Sequence, residues 1–142
     1  MDNFLLIDKP EGWTSHDVVA FLRGRLGTRL IGHAGTLDPF ATGLLVLGVG
    51  PATKRLAEVQ VLERAYVASV RLGATSDTDD RTGVITETAH PPAVTRAMLA
   101  AVLPRFLGTI EQVPPMYSAK KVGGRKLYEI ARKGEVIERR PA

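Results

Sequence analysis

The spacing of apolar and polar residues changes several times along the chain, and each change marks an element. Phe4-Leu5-Leu6-Ile7 is a continuous apolar run, as in a buried strand, and Asp8 to Gly12 predicts the turn that ends it. A helix should follow, capped by Thr14 or Ser15, burying Val18, Val19, Leu22 and Leu26 and stopping at Gly27. Leu44 to Val49 is too short and too glycine-bounded for a helix and predicts a second buried strand. Pro51 at a first helical position opens a short helix through Leu56.

Strict alternation returns at Arg64 to Leu72, with Tyr66, Ala68, Val70 and Leu72 on one face, the pattern of a half-buried strand. The polar run Thr75 to Gly83 predicts a loop, and Val84 to Thr86 a short strand. Thr95 caps a helix through Leu103, which Pro104 ends. Further strands are expected at Thr109 to Val113, Ser118 to Val122 and Glu135 to Glu138. Pro114-Pro115 and a Gly123-Gly124 turn break the first two, and a basic helix from Arg125 to Lys133 precedes the last. Strands and helices alternate without a regular βαβ period, so a mixed sheet is favoured over a doubly wound fold.

Composition narrows the chemistry more than the fold. Apolar residues at 44% and charged residues at 24% are globular averages, and 142 residues suit one domain. Cysteine is absent, which removes thiolate nucleophiles, disulfides, iron–sulfur clusters and cysteine-ligated zinc. His16, His33 and His90 lack the spacing of a helical zinc pair. The longest apolar run falls far short of the ~18 residues that cross a membrane, and Met1-Asp2-Asn3 lacks the positive start of a secretory signal, so a cytoplasmic protein is expected.

Charge is uneven. Lys120 to Arg140 holds eight Lys or Arg against three Glu, whereas the whole chain carries only +4. Such a segment suits a polyanion such as RNA, and equally describes a solvated helix face.

The segment from Gly32 to Leu45 packs three glycines around one acidic residue. Pro39 biases Asp38 away from helical backbone, so its carboxylate is held on extended chain beside Leu37 and Phe40. The arrangement reads either as a preoriented carboxylate at a pocket mouth or as an Asp-Pro turn in a surface connection. Two other motifs fail on spacing. Gly48 to Lys54 lacks the order of a phosphate loop, and Asp77 to Asp80 opens like a calcium loop but meets Thr82 and Thr88 where glycine and glutamate are needed.

The run His33 to Leu45, with Asp8-Lys9-Pro10 before it and Pro115-Met116-Tyr117-Ser118-Ala119 after it, resembles the TruB family of tRNA pseudouridine synthases. The likeness covers essentially the whole chain in order, including Tyr66-Val67, the Thr75 to Gly83 loop and Lys126-Leu127-Tyr128-Glu129. It implies an α+β fold, a mixed and mainly antiparallel sheet flanked by helices. It implies that Asp38 is the catalytic carboxylate, that His33 and Tyr66 contact the RNA, and that Gly35 and Lys9 stand at the substrate site, Lys9-Pro10 in a buttressing loop. Lys120, Lys121, Arg125 and Lys126 would contact the RNA backbone. The substrate would be a flipped-out uridine in the T arm of tRNA, the cofactor and metal requirement nil, and the full-length protein monomeric.

Family members continue with a Lys-Gly-x-Tyr-x-Arg segment and a carboxyl-terminal RNA-binding domain. Neither occurs before Ala142, so the chain is expected to be the front part of an incomplete catalytic domain. The rival readings are a non-catalytic RNA-binding module that uses Lys120 to Arg140, and a small-molecule enzyme with an aspartate nucleophile.

Overall fold

The computed structural model describes residues 3–91, 93–115, 121–127, 130, 135 and 137. The chain divides into two compact units, Met1–Val67 and Ala68–Ala142. Helices combine with antiparallel strands throughout, an α+β composition; every strand pair among the described residues is antiparallel.

The first unit is built on a three-stranded sheet of order β1-β3-β2, from β1 (Asn3–Lys9), β2 (Ile31–His33) and β3 (Gly43–Val49). β1 does not stop at Ile7. It pairs with β3 along its whole length, and Asp8 and Lys9, expected in the turn, lie opposite Leu44 and Gly43. Helix α1 (Ser15–Leu26) starts on a capping box in which Thr14 accepts from the Asp17 amide and Asp17 accepts from the Thr14 amide. The Thr14 hydroxyl, followed by the Thr14 amide, holds the Asp17 carboxyl below the usual carboxylate range. Gly27, at φ 63°, ends the helix in the left-handed conformation that glycine adopts without strain.

Val18 and Val19 of α1 pack on Ile31, Leu45, Leu47 and Val49, with Leu5, Ile7, Leu22 and Leu37 around them. Each fully buried aliphatic side chain contributes about 1.5–3 kcal/mol. Leu26, expected in this core, is 38% exposed because it lies in the last turn, where α1 ends.

The opposite face of the sheet is shaped by two glycines. Gly32 and Gly48 lie side by side across the β2–β3 ladder. A Cβ on Gly48 would fall 2.9 Å from the Ala52 carbonyl oxygen, and one on Gly32 would fall 3.0 Å from Leu56 Cδ1. The chain after β3 therefore folds back onto a flat patch, as a 3₁₀ helix at Gly50–Arg55 and then α2 (Leu56–Gln60). Pro51 opens this element as expected, although it begins as 3₁₀ and runs past Leu56. At the other end of this face Leu6 and Leu44 stay exposed.

In the second unit β4 (Ala74–Ser76) pairs with β5 (Ile85–Glu87), so a hairpin begins inside the expected loop and its second strand sits one residue later than expected. The turn is tied by its carboxylates. Asp77 accepts from the Val84 amide, and Asp80 accepts from both Thr82 donors and the Thr78 hydroxyl. Helix α3 (Arg96–Val102) is capped by Thr95, and Pro104 converts its end into a 3₁₀ turn at Leu103–Phe106.

Three expected elements are corrected. Arg64 to Leu72 forms no strand, because alternation needs a neighbouring ladder and none pairs with it among the described residues; Val67 and Val70 are exposed. Thr109 to Val113 is likewise irregular. Arg125 does not start a helix: β6 (Lys121–Val122) and β7 (Arg125–Lys126) form a hairpin about Gly123-Gly124, both at positive φ, and helical backbone begins at Leu127. Ser118 to Lys120 and most of the segment after Leu127 lie outside the described residues; Glu135 and Ile137, expected in a strand, are not in one.

Candidate active site

The loop that carries Asp38 leaves β2 at His33 and enters β3 at Gly43, so both of its ends are fixed in one sheet. The Ala34 amide donates to Val46 O at 2.9 Å and extends the ladder by one residue. Inside the loop, the Ala41 amide bonds to Asp38 O at 3.0 Å.

Two side chains from outside hold the residues on either side of Asp38. Ser15, buried at the first position of α1, accepts from the Leu37 amide at 2.9 Å and donates to Leu37 O at 3.3 Å. Lys9, at the end of β1, is fully buried. Its Nζ donates to Trp13 O at 2.6 Å, Pro10 O at 3.0 Å and Pro39 O at 3.3 Å. The Gly12 amide adds a bond to Pro39 O at 2.7 Å. Leu37 and Pro39 are thus pinned, while the Asp38 side chain between them is exposed and has no hydrogen-bond partner among the described residues.

This geometry separates holding from presenting. An ammonium inside the protein needs its donors satisfied, and three carbonyls satisfy them. Lys9 therefore faces the loop backbone and not a ligand. We expect Ser15→Ala to cost roughly 1–2 kcal/mol by leaving the Leu37 amide without its partner. Urea unfolding and hydrogen exchange at that amide measure it; unchanged protection would show that the bond does not hold the loop.

His33 is half-buried, and its Nδ1 is enclosed without a hydrogen-bond partner. Tyr66 is exposed on irregular backbone. Its segment reaches the loop through Arg64, whose Nη1 lies 3.8 Å from where a Cβ on Gly35 would sit. In the second unit, Lys121, Arg125 and Lys126 belong to the β6–β7 hairpin, and Arg125 is paired with Glu135 at 3.3 Å; Lys120 lies outside the described residues.

An apolar cavity of about 190 Å³ beside α1 is walled by Ile7, Pro10, Trp13, Val18, Phe21 and Leu22. Trp13 meets Phe21 edge to face at 5.6 Å, a packing role. No charged, hydroxyl or amide side chain lines the cavity among the described residues.

Residues 23–142 match the description TruB family pseudouridylate synthase (N terminal domain). The chain belongs to the TruB family. It is 48% identical over 137 residues to tRNA pseudouridine synthase B of Thermobifida fusca (strain YX), a match covering 96% of this chain and 47% of that protein. It is 52% identical over 136 residues to tRNA pseudouridine synthase B of Leifsonia xyli subsp. xyli (strain CTCB07), covering 94% and 45%. The protein of the same name from Opitutus terrae (strain DSM 11246 / JCM 15787 / PB90-1) is 47% identical over 141 residues, covering 99% and 58%. The chain spans about half the length of the curated TruB relatives it matches.

Sequence reasoning locates Asp38 but misses Ser15 and Arg64. The serine is visible in sequence only as a candidate cap, since its partner Leu37 is 22 residues away. No helix among the described residues of this TruB chain is long and apolar enough to cross a membrane.

Proposed function

We propose that this protein is a tRNA pseudouridine synthase that isomerises a uridine in the T arm, and that residues 1–142 form the amino-terminal part of its catalytic domain, with the pseudouridine synthase fold. The observation that carries the reading is the Asp38 loop, pinned at Leu37 and Pro39 and presenting a carboxylate without a partner among the described residues, in a chain of the TruB family.

The reaction breaks the C1′–N1 bond, turns the uracil and joins C1′ to C5; C5 loses its proton and the freed N1 takes one up, so the product is an isomer. Redox state is unchanged. The uridine must first leave its stack, at a cost of a few kcal/mol. An exposed carboxylate on a fixed backbone is available either to attack the flipped nucleotide or to take the 2′ proton. Lys9 and Ser15 fix the backbone that carries it, so little reorganisation remains when the substrate arrives. In this reading His33 and Tyr66 contact the unstacked nucleotide, and Lys120, Lys121, Arg125 and Lys126 follow the RNA backbone.

The test, made on the full-length protein, is release of tritium from C5-labelled uridine in tRNA. Release that stops when the T-arm uridine is replaced by cytidine is expected. Binding of tRNA without release would identify a non-catalytic RNA-binding module and overturn the proposal.

A further inference from the structure

Gly35 has no backbone need to be glycine, since its φ lies outside the left-handed region. What stands above it is the guanidinium of Arg64. Nη1 and Cζ lie 3.8 and 3.9 Å from the position of a Cβ on Gly35, so a methyl group would touch the guanidinium and a larger side chain would displace it. The guanidinium is anchored through Nη2, which donates to Gln60 O at 2.8 Å, in the last turn of α2.

Nothing among the described residues neutralises the anchored cation. Among the described residues Arg64 has no carboxylate partner, whereas Arg55 is paired with Glu58, Arg71 with Glu87 and Arg125 with Glu135. It is also exposed, and apart from Nη2 its donor fork has no partner among the described residues. Along the chain Gly35 lies two residues after His33 and three before Asp38, and Arg64 lies two before Tyr66. A guanidinium held in one place, uncompensated and facing water matches a phosphate, which a planar fork binds through two parallel hydrogen bonds.

We infer that Arg64 is a phosphodiester-binding residue of the active site, seated on Gly35, that grips the RNA strand beside the nucleotide presented to Asp38. The inference rests on the proposed RNA substrate. It adds a backbone contact at the loop itself, apart from the basic segment of the second unit.

The test is binding of a T-arm stem–loop RNA across a salt series. Loss of one phosphate contact lowers the slope of log affinity against log salt by about 0.7–0.9. Arg64→Ala should show that drop. Arg64→Lys should keep the slope but bind several-fold more weakly, because an ammonium cannot form the bidentate pair. Gly35→Val, which fills the seat of the guanidinium, should reproduce the drop, and the double variant should add nothing to it. Arg64→Ala with the wild-type slope and affinity would overturn the role of Arg64 and leave the proposed function standing. Failure of the unaltered protein to bind the stem–loop would overturn both.

Discussion

Asp38→Ala and Asp38→Asn should reduce turnover by roughly 10²–10⁴-fold or more while leaving RNA binding and stability in place. The structure makes this separation specific. Ser15, Lys9 and the Gly12 amide hold the backbone at Leu37 and Pro39, and none of these bonds uses the Asp38 side chain. Its removal exposes no core and orphans no buried group, so unfolding free energy should change by less than about 0.5 kcal/mol. Tritium release, stem–loop affinity and urea melts measured on the same variants give the three numbers. Turnover within tenfold of wild type would remove Asp38 from the chemistry. A large loss of stability would show instead that the carboxylate belongs to the scaffold.

Lys9→Met should behave in the opposite way. Methionine fills the buried stem but cannot donate, so the carbonyls of Pro10, Trp13 and Pro39 lose a shared cation inside the protein. Pro39 O keeps its bond from the Gly12 amide, and all three acceptors belong to exposed residues that water can reach, so the expected cost is about 1–3 kcal/mol. For a chain of this size that is roughly 3–10 °C in melting temperature. Turnover should fall with it, through misplacement of Pro39 beside Asp38. A stable Lys9→Met protein would mean that the bonds to the three carbonyls contribute little.

Elements with a local signal are legible in the sequence. Thr14, Asp17 and Gly27 mark both ends of α1 through contacts a few residues apart, and Leu44 to Val49 is apolar enough to be read as a strand without knowing its partners. The errors come from non-local partners. Arg64 to Leu72 alternates as a strand does, yet a strand exists only where another backbone completes its ladder. β2 escapes a sequence reading because Ile31-Gly32-His33 is short and its identity comes from pairing with β3. The hairpin at Lys121 to Lys126 is partly hidden because its charged residues also read as one face of a helix.

The site divides along the same line. Asp38 stands out because Gly35, Pro39 and Gly43 surround it within a few residues. Lys9 does not, because lysine is almost never fully buried and its one distant acceptor, Pro39, is 30 residues away. Arg64 comes to the loop because the chain turns back after β3, on the flat patch left by Gly32 and Gly48.

The bond from Lys9 to Pro39 also bears on when the site takes shape during folding. It closes a loop of 30 residues, and Lys9 reaches that carbonyl only once β1 has paired with β3 across a still longer stretch of chain. The entropy of closing such loops must be met before the bond can form, so local segments cannot assemble the Asp38 loop in advance. Its order arrives with the sheet and departs with it. Loss of the β1–β3 pairing therefore takes the placement of Asp38 with it.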